Sequence, residues 1–269
     1  MAGTGKTCAV AARRGVGRGD ADGRKPRRRS TTDPGCGDGG SATAASLAGP
    51  YGIWVDPSGH LFIADGRRGI REVQPDGTIA TVAGGGGTYD IRSVAGDTSG
   101  NLYATTPDYV LKVDLTAGKV TPVVGTGTSG YNGNTGSNGL LPGNQVQINH
   151  PAGASIALNG NVVFTDTDNN LVRAYVPGSD HVINLAGVVA NGSPQGGFTD
   201  DGQPANQTKL DHPQAMTVTR GALFVVADTD NRRVRQFGPN PPAAELRRVR
   251  PPRRVRPRAA RVPRRSIRR

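Results

Sequence analysis

The stretch Gly52–Gly84, GIWVDPSGHLFIADGRRGIREVQPDGTIATVAG, holds four short apolar runs separated by three turn signals. The turns fall at Asp56–Gly59, Asp65–Gly66 and Gln74–Gly77, where Gly tolerates positive φ and Pro fixes φ in the first and third. Short runs rich in β-branched residues between such turns are typical of strands joined by hairpins. The stretch therefore predicts one small antiparallel sheet of four strands.

The same pattern returns three more times along the chain. The repeats align on the glycine of the first turn, at positions 59, 100, 160 and 221, and these glycines are 41, 60 and 61 residues apart. A four-stranded sheet of this size cannot bury both faces by itself, so its repetition predicts stacked sheets. The sequence predicts an all-β protein, a β-propeller of about four blades. We expect the blades at about 51–84, 92–125, 152–187 and 214–238, with the last one incomplete.

Three repeats end their second strand with Asp and carry an Arg six or seven residues later. An Asp at this point caps the next turn, and the Arg can pair with it across the hairpin. We therefore predict a structural role in the repeat for these residues. They are Asp65 with Arg71, Asp166 with Arg173, and Asp228 with Arg235.

Two of these motifs contain a second aspartate, Asp168 and Asp230, and an Asp-x-Asp pair can bind calcium. The motifs lack the ring of oxygen ligands and the later bidentate Glu of a helix-flanked calcium loop. His150 and His212 each precede Pro at the same repeat position, where the first repeat has Gly49, and this favours a turn detail over a catalytic pair. We predict no metal site, no cofactor and no catalytic residue.

Three segments resemble the NHL-repeat family of β-propellers. They are IADGRRGIREV at 63–73, TDTDNNLVR at 165–173 and ADTDNRRVR at 227–235, which are similar to the family's ADT-x-N-x-R-I-R segment. The second repeat departs from the motif, since ATTPD at 104–108 lacks its Asp and Asn. Asp-Gly-Gly loops further resemble those of bacterial, extracellular members. The resemblance covers roughly residues 37–238 and implies a propeller that binds a partner outside the cell.

Gly-rich loops precede the first strand of several repeats. Loops on a rigid scaffold carry much of the binding in proteins, and these loops offer free backbone N–H groups beside carboxylates. The alternative is that they only cover the edge of the next blade. The candidate binding residues are Asp38, Gly39, Gly40, Asp200, Asp201 and Gly202.

The formal net charge of +12 is unevenly distributed. Residues 1–39 carry nine Lys/Arg against four Asp/Glu, and residues 239–269 carry 12 against one. Residues 40–238 carry 12 against 16, so the repeat region is mildly acidic. The basic excess therefore says nothing about the binding face of the repeats.

The two ends lack the repeat pattern, and residues 1–36 and 239–269 are predicted to be disordered basic segments. Any nucleic acid would bind them without sequence preference and with strong salt dependence. Cys8 and Cys36 either form a disulfide or stay as two thiols. No apolar run approaches the roughly 18–20 residues of a membrane span, and no signal peptide is visible.

Three functions remain open. The first is a non-enzymatic binding or interaction module, a fragment of a larger surface or secreted protein. The family closes rings of about six blades, so four blades form either a smaller ring or an open array whose exposed edges favour self-association. The second is a metal-dependent lyase or lactonase, as the resemblance to propeller enzymes implies. The third is nucleic-acid binding through the basic ends.

Overall fold

The computed structural model describes residues 37–133, 135–136 and 139–238. Blade 1 is an antiparallel sheet in the order β1-β2-β3-β4. Its strands are β1 (Gly52–Val55), β2 (Leu61–Ala64), β3 (Ile70–Val73) and β4 (Ile79–Ala83). The quoted stretch thus forms the predicted four-stranded sheet, with a turn at each of its three Gly-containing signals.

Three further sheets repeat this arrangement. Blade 2 contains β5 (Ser93–Gly96), β6 (Asn101–Thr105), β7 (Val110–Asp114) and β8 (Lys119–Val124). Blade 3 contains β11 (Ala154–Ile156), β12 (Val162–Asp166), β13 (Leu171–Val176) and β14 (His181–Ala186). The described part of blade 4 contains β17 (Pro213–Val218), β18 (Phe224–Asp228) and β19 (Arg233–Phe237).

The loops between blades hold small elements that the sequence pattern does not predict. Two short hairpins pair β9 (Thr135–Gly136) with β10 (Gly139–Leu140) and β15 (Val188–Ala190) with β16 (Ser193–Gln195). Single turns of 3₁₀ helix lie at Ala42–Ala44, Gly143–Gln145, Thr167–Asn169 and Ala205–Gln207.

The blades pack in chain order about a common axis. The innermost strands contact their neighbours, β1 with β5, β5 with β11, and β11 with β17. One apolar core lies between each pair of neighbouring blades, because strand alternation gives every sheet two faces to bury. The cores include Phe62 and Leu102 between blades 1 and 2, Tyr103 and Phe164 between blades 2 and 3, and Val172 and Val226 between blades 3 and 4. The predicted all-β propeller fold is confirmed, with four blades.

The array is open between its last and first blades. Within the described ranges, β17 and β1 share no interface comparable with those of neighbouring inner strands. The predictions for 1–36 and 239–269, including Cys8 and Cys36, lie outside the described residues, and the domain boundaries stay a prediction.

The packing of blade 1 against blade 2 depends on a glycine opposite the chain's one tryptophan. Trp54 in β1 packs against Phe62 with the two ring centroids 5.5 Å apart, and its indole ring lies directly against the backbone of Gly96 in β5. A Cβ atom at position 96 would overlap the indole. The glycine therefore lets a large side chain fill the space between two sheets.

We predict that Gly96→Val destabilises the fold by about 1–3 kcal/mol, because the added side chain forces Trp54 out of its position. The matched control is Gly178→Ala, at a turn position where an added Cβ meets nothing within 4 Å. We expect the control to stay within about 0.5 kcal/mol of the unchanged chain. Urea unfolding followed by Trp54 fluorescence measures both, and equal stability of the two variants would contradict the packing argument.

Candidate functional site

Buried Asp–Arg pairs recur at the same place in blades 1, 3 and 4. All six side chains are fully buried. Arg173 Nη1 lies 2.9 Å from Asp166 Oδ2, and Arg235 Nε lies 2.5 Å from Asp228 Oδ2. Burial raises the pKa of Asp166 above its ordinary value, while the charge of Arg173 acts in the opposite direction. Each pair joins the end of the second strand to the third strand.

The second carboxylate oxygen of each aspartate holds the loop that precedes the blade. Asp166 Oδ1 accepts the backbone N–H of Asn149 at 2.7 Å, and Asp228 Oδ1 accepts that of Asp211 at the same distance. The arginines donate to loop carbonyls, as Arg173 does to Gln147 at 3.0 Å. The Asp–Arg pair therefore connects two strands and one loop, and these are the contacts of a structural anchor.

We predict that Arg173→Met destabilises the fold by about 3–5 kcal/mol, because it leaves the Asp166 carboxylate buried without its counter-charge. The double variant Asp166→Asn/Arg173→Met should lose clearly less, since no buried charge remains. Arg220→Ala, at an exposed position, is the control and should change stability by less than about 0.5 kcal/mol. Chemical denaturation measures all three; a double variant as unstable as the single one would show that the ion pair is not the cause.

The predicted loop residues lie in two different environments. Asp38 is buried, where its Oδ1 lies 2.6 Å from Arg71 Nη2 and its Oδ2 accepts the backbone N–H of Thr81. Gly39 and Gly40 exchange backbone hydrogen bonds with Ile79 of β4. This loop lies along the outer strand of blade 1, and Asp38 belongs to the anchor of that blade.

The second predicted loop is open to solvent. Asp200, Asp201 and Gly202 are exposed, and Asp201 Oδ1 lies 3.5 Å from Arg233 Nη1 of β19. The structure thus places the two Asp-Gly loops on blades 1 and 4, in contact with different strands. Their role in binding stays a prediction.

A cluster of histidines and aspartates lies where blades 3 and 4 meet. His150 Nδ1 lies 2.8 Å from Asp168 Oδ2 in blade 3. His212 Nδ1 lies 2.9 Å from Asp230 Oδ2 and 3.0 Å from Asp211 Oδ1 in blade 4. His212 Nε2 also lies 4.0 Å from Asp168 Oδ1, so the two pairs form one group. All five side chains are at least a third exposed.

Both histidines occupy the left-handed region, with φ of 47° at His150 and 45° at His212, where non-glycine residues are uncommon. The sequence carried a signal for this cluster. Each histidine and its aspartate partner recur at the same offset of 62 residues, His150 to His212 and Asp168 to Asp230. Sequence reasoning treated the two positions separately and did not join them.

A central cavity of about 520 Å³ opens between the inner strands of all four blades. Arg92, next to β5, makes a cation–π contact with Tyr51, next to β1. The guanidinium carbon of Arg92 lies 4.6 Å from the centroid of the Tyr51 ring. Asp90 holds the same guanidinium at 2.8 Å. The cavity is also lined by His150 and by Gln214 and Met216 of β17. His150 therefore belongs both to the cavity wall and to the histidine–aspartate cluster.

Comparison with known proteins agrees with this architecture. A family model, the Teneurin NHL domain, matches residues 27–92. Teneurin-3 of Danio rerio is 25% identical over 210 residues, which is 75% of this chain and 6% of that protein. Suppressor of quenching 1 of Arabidopsis thaliana is 29% identical over 98 residues, 36% of this chain and 9% of that protein. The chain thus spans less than a tenth of these relatives.

Two solved structures share the fold. An auxiliary nutrient binding protein from Bacteroides thetaiotaomicron superposes with a TM-score of 0.53 at 18% identity, over 70% of this chain and 47% of that one. A streptogramin B lyase superposes with a TM-score of 0.50 at 13% identity, over 74% and 55%. Fold, blade motif and comparisons define a repeat protein of the propeller class. The chain is a β-propeller whose repeats are similar to those of NHL-type propellers.

Proposed function

We propose that this propeller is a non-enzymatic binding module whose ligand occupies the central cavity. The observation that carries the proposal is that all four inner strands line one cavity of about 520 Å³. Small-molecule sites usually measure about 300–1,000 Å³, and a ligand in such a site contacts several elements at once. A ligand here would bridge all four blades.

The lining side chains suggest the chemistry of the ligand. Tyr51 offers an aromatic face, Arg92 and Gln214 offer hydrogen-bond donors, and His150 offers a ring nitrogen. Met216 adds a flexible apolar contact. This mixture fits a small polar molecule that accepts hydrogen bonds and presents one apolar face. The likeness to a nutrient-binding protein supports a binding role, although that likeness concerns the fold alone.

The wider setting belongs to the same proposal. We infer that the module is part of a larger surface or secreted protein, in a bacterial and extracellular context, as the resemblance of its loops implies. The match to teneurins supports an interaction module within a longer chain. No helix among the described residues is long and apolar enough to cross a membrane.

We predict that a panel of monosaccharides, amino acids and small organic acids contains at least one compound that raises the melting temperature. Gln214→Ala should weaken its binding about tenfold, because one hydrogen bond contributes roughly 0.5–1.5 kcal/mol. Gln207→Ala, on an exposed 3₁₀ turn outside the cavity, is the control and should bind as the unchanged chain does. A panel without any stabilising compound, or full affinity in Gln214→Ala, would count against the cavity as the site.

A metal-dependent propeller enzyme is the second candidate, and the histidine–aspartate cluster favours it. Asp211, His212 and Asp230 each offer one ligand atom, and these atoms lie within 4.8 Å of one another. Imidazole nitrogen and carboxylate oxygen suit Zn²⁺. His212 Nδ1 is hydrogen-bonded to Asp211 Oδ1 at 3.0 Å and lies 2.9 Å from Asp230 Oδ2, so both carboxylates already have a partner without an ion. We therefore place the binding module first.

Metal analysis separates the two candidates. After treatment with a chelator, addition of Zn²⁺ and dialysis, we expect less than one metal ion per ten chains, since the cluster is exposed and internally paired. His212→Asn should then leave the metal content unchanged. One tightly held ion per chain that is lost in His212→Asn would favour the enzyme.

Nucleic-acid binding through the basic ends stays a prediction, because residues 1–36 and 239–269 lie outside the described part.

A further inference from the structure

The two ends of the blade array expose sheet faces that neighbouring blades cover elsewhere. On blade 1 the exposed face is formed by Ile53 and Val55 of β1, which we call the first end face. On blade 4 it is formed by Ala215, Val225, Ala227 and Val234, which we call the last end face. The strand register places Ile53 and Val55 on the face of blade 1 that does not carry Trp54. It likewise places the four residues of blade 4 on the face that does not carry Arg235.

Equivalent positions inside the array show what these faces normally meet. Ile53 is 67% exposed, whereas Val94, which holds the same register position in blade 2, is 3% exposed under blade 1. Val234 is 45% exposed, whereas its counterpart Val172 in blade 3 is 1% exposed under blade 4. Each end face is thus one half of an interface that the chain forms three times internally.

The two half-interfaces are complementary in type. In blades 1, 2 and 3, one face of the sheet packs against the following blade, and blade 4 leaves that face exposed. In blades 2, 3 and 4, the other face packs against the preceding blade, and blade 1 leaves that face exposed. Residues 1–36 and 239–269 contain no run of alternating apolar residues that would form another blade. Among the described residues, the surface that matches each end face is the other end face, and a second copy of this chain carries it.

We propose that two copies of this chain associate head to tail, the last end face of each packing on the first end face of the other, to close one ring of eight blades. Heterologous contacts of this kind close when the rotation per subunit permits it, and propellers of four to eight blades are known. The described arc covers 47% and 55% of the length of two solved chains that share its fold, so two arcs together about match the length of either chain.

The loop Gly37–Pro50 fits the same arrangement. It lies beside β4 on the first end face, fixed by Asp38 and Arg71. The corresponding loop of blade 3 packs between blades 2 and 3, where Gly143 contacts the backbone of Val123 in β8. In the dimer, the loop of blade 1 would take the equivalent place beside the outer part of the partner's blade 4.

The test measures the oligomeric state of the full chain by sedimentation velocity from about 1 to 100 μM, in salt high enough to screen the basic ends. We expect a dimer. Val55→Glu and Val234→Glu each place a carboxylate in both interfaces of the ring, and each should weaken dimerisation by more than about tenfold. The control is Leu158→Glu, which changes an equally apolar and exposed residue in a turn of blade 3, away from both end faces. It should remain dimeric.

A charge-pair variant tests the orientation. Gly96 lies against Trp54 where blades 1 and 2 meet, and Val55 and Thr217 hold the register positions of Gly96 and Trp54 on the two end faces. In a head-to-tail ring, Val55→Lys/Thr217→Glu therefore places a lysine opposite a glutamate in both interfaces, so it should dimerise more tightly than Val55→Lys or Thr217→Glu alone. Mixing Val55→Glu with Val234→Glu should also restore part of the dimer, because one of the two interfaces is then unchanged. A monomer at all concentrations overturns the proposal, as do open-ended oligomers or a dimer that only one of the two single variants weakens. Circular dichroism confirms that each variant is folded.

Discussion

The buried Asp–Arg pair is the interaction that fixes blades 1, 3 and 4 to the loops that precede them. In blades 1, 3 and 4 it joins the second strand, the third strand and the preceding loop through one carboxylate and one guanidinium. Two opposite charges leave water together, and backbone N–H and C=O groups of the loop supply further hydrogen bonds to them. Such a group is stable only when every partner is present, so the loop and the blade are ordered as a unit.

This constraint separates the anchoring parts of the molecule from those free to bind. The Asp38 loop is held in the anchor of blade 1, whereas the central cavity is lined by residues of the inner strands and their approaches. Tyr51, Arg92 and Gln214 come from three blades and owe their position to the packing of the sheets. Ligand binding in the cavity would therefore depend on blade packing more than on any one loop.

Blade packing also accounts for the two ends of the array. A propeller sheet buries both faces only between two neighbours, and blade 2 and blade 3 each have both. Ile53 and Val234 have a neighbour on one side of their sheets alone and are correspondingly exposed. The same apolar pattern that builds the interior of the fold thus becomes an association surface at its ends.

The sequence by itself determined the repeat, because glycine-containing turns and alternating apolar residues act locally: the four strands of Gly52–Gly84 and the Asp65–Arg71 pairing pattern are readable without coordinates. It also showed that the basic charge lies outside the blades. Only the tertiary structure decided which residues meet between blades. His150 and Asp168 join His212 and Asp230 although 62 residues separate the two pairs, and Gly96 admits Trp54 from another sheet. Contacts of this kind depend on the angle and distance between sheets, which no local pattern encodes.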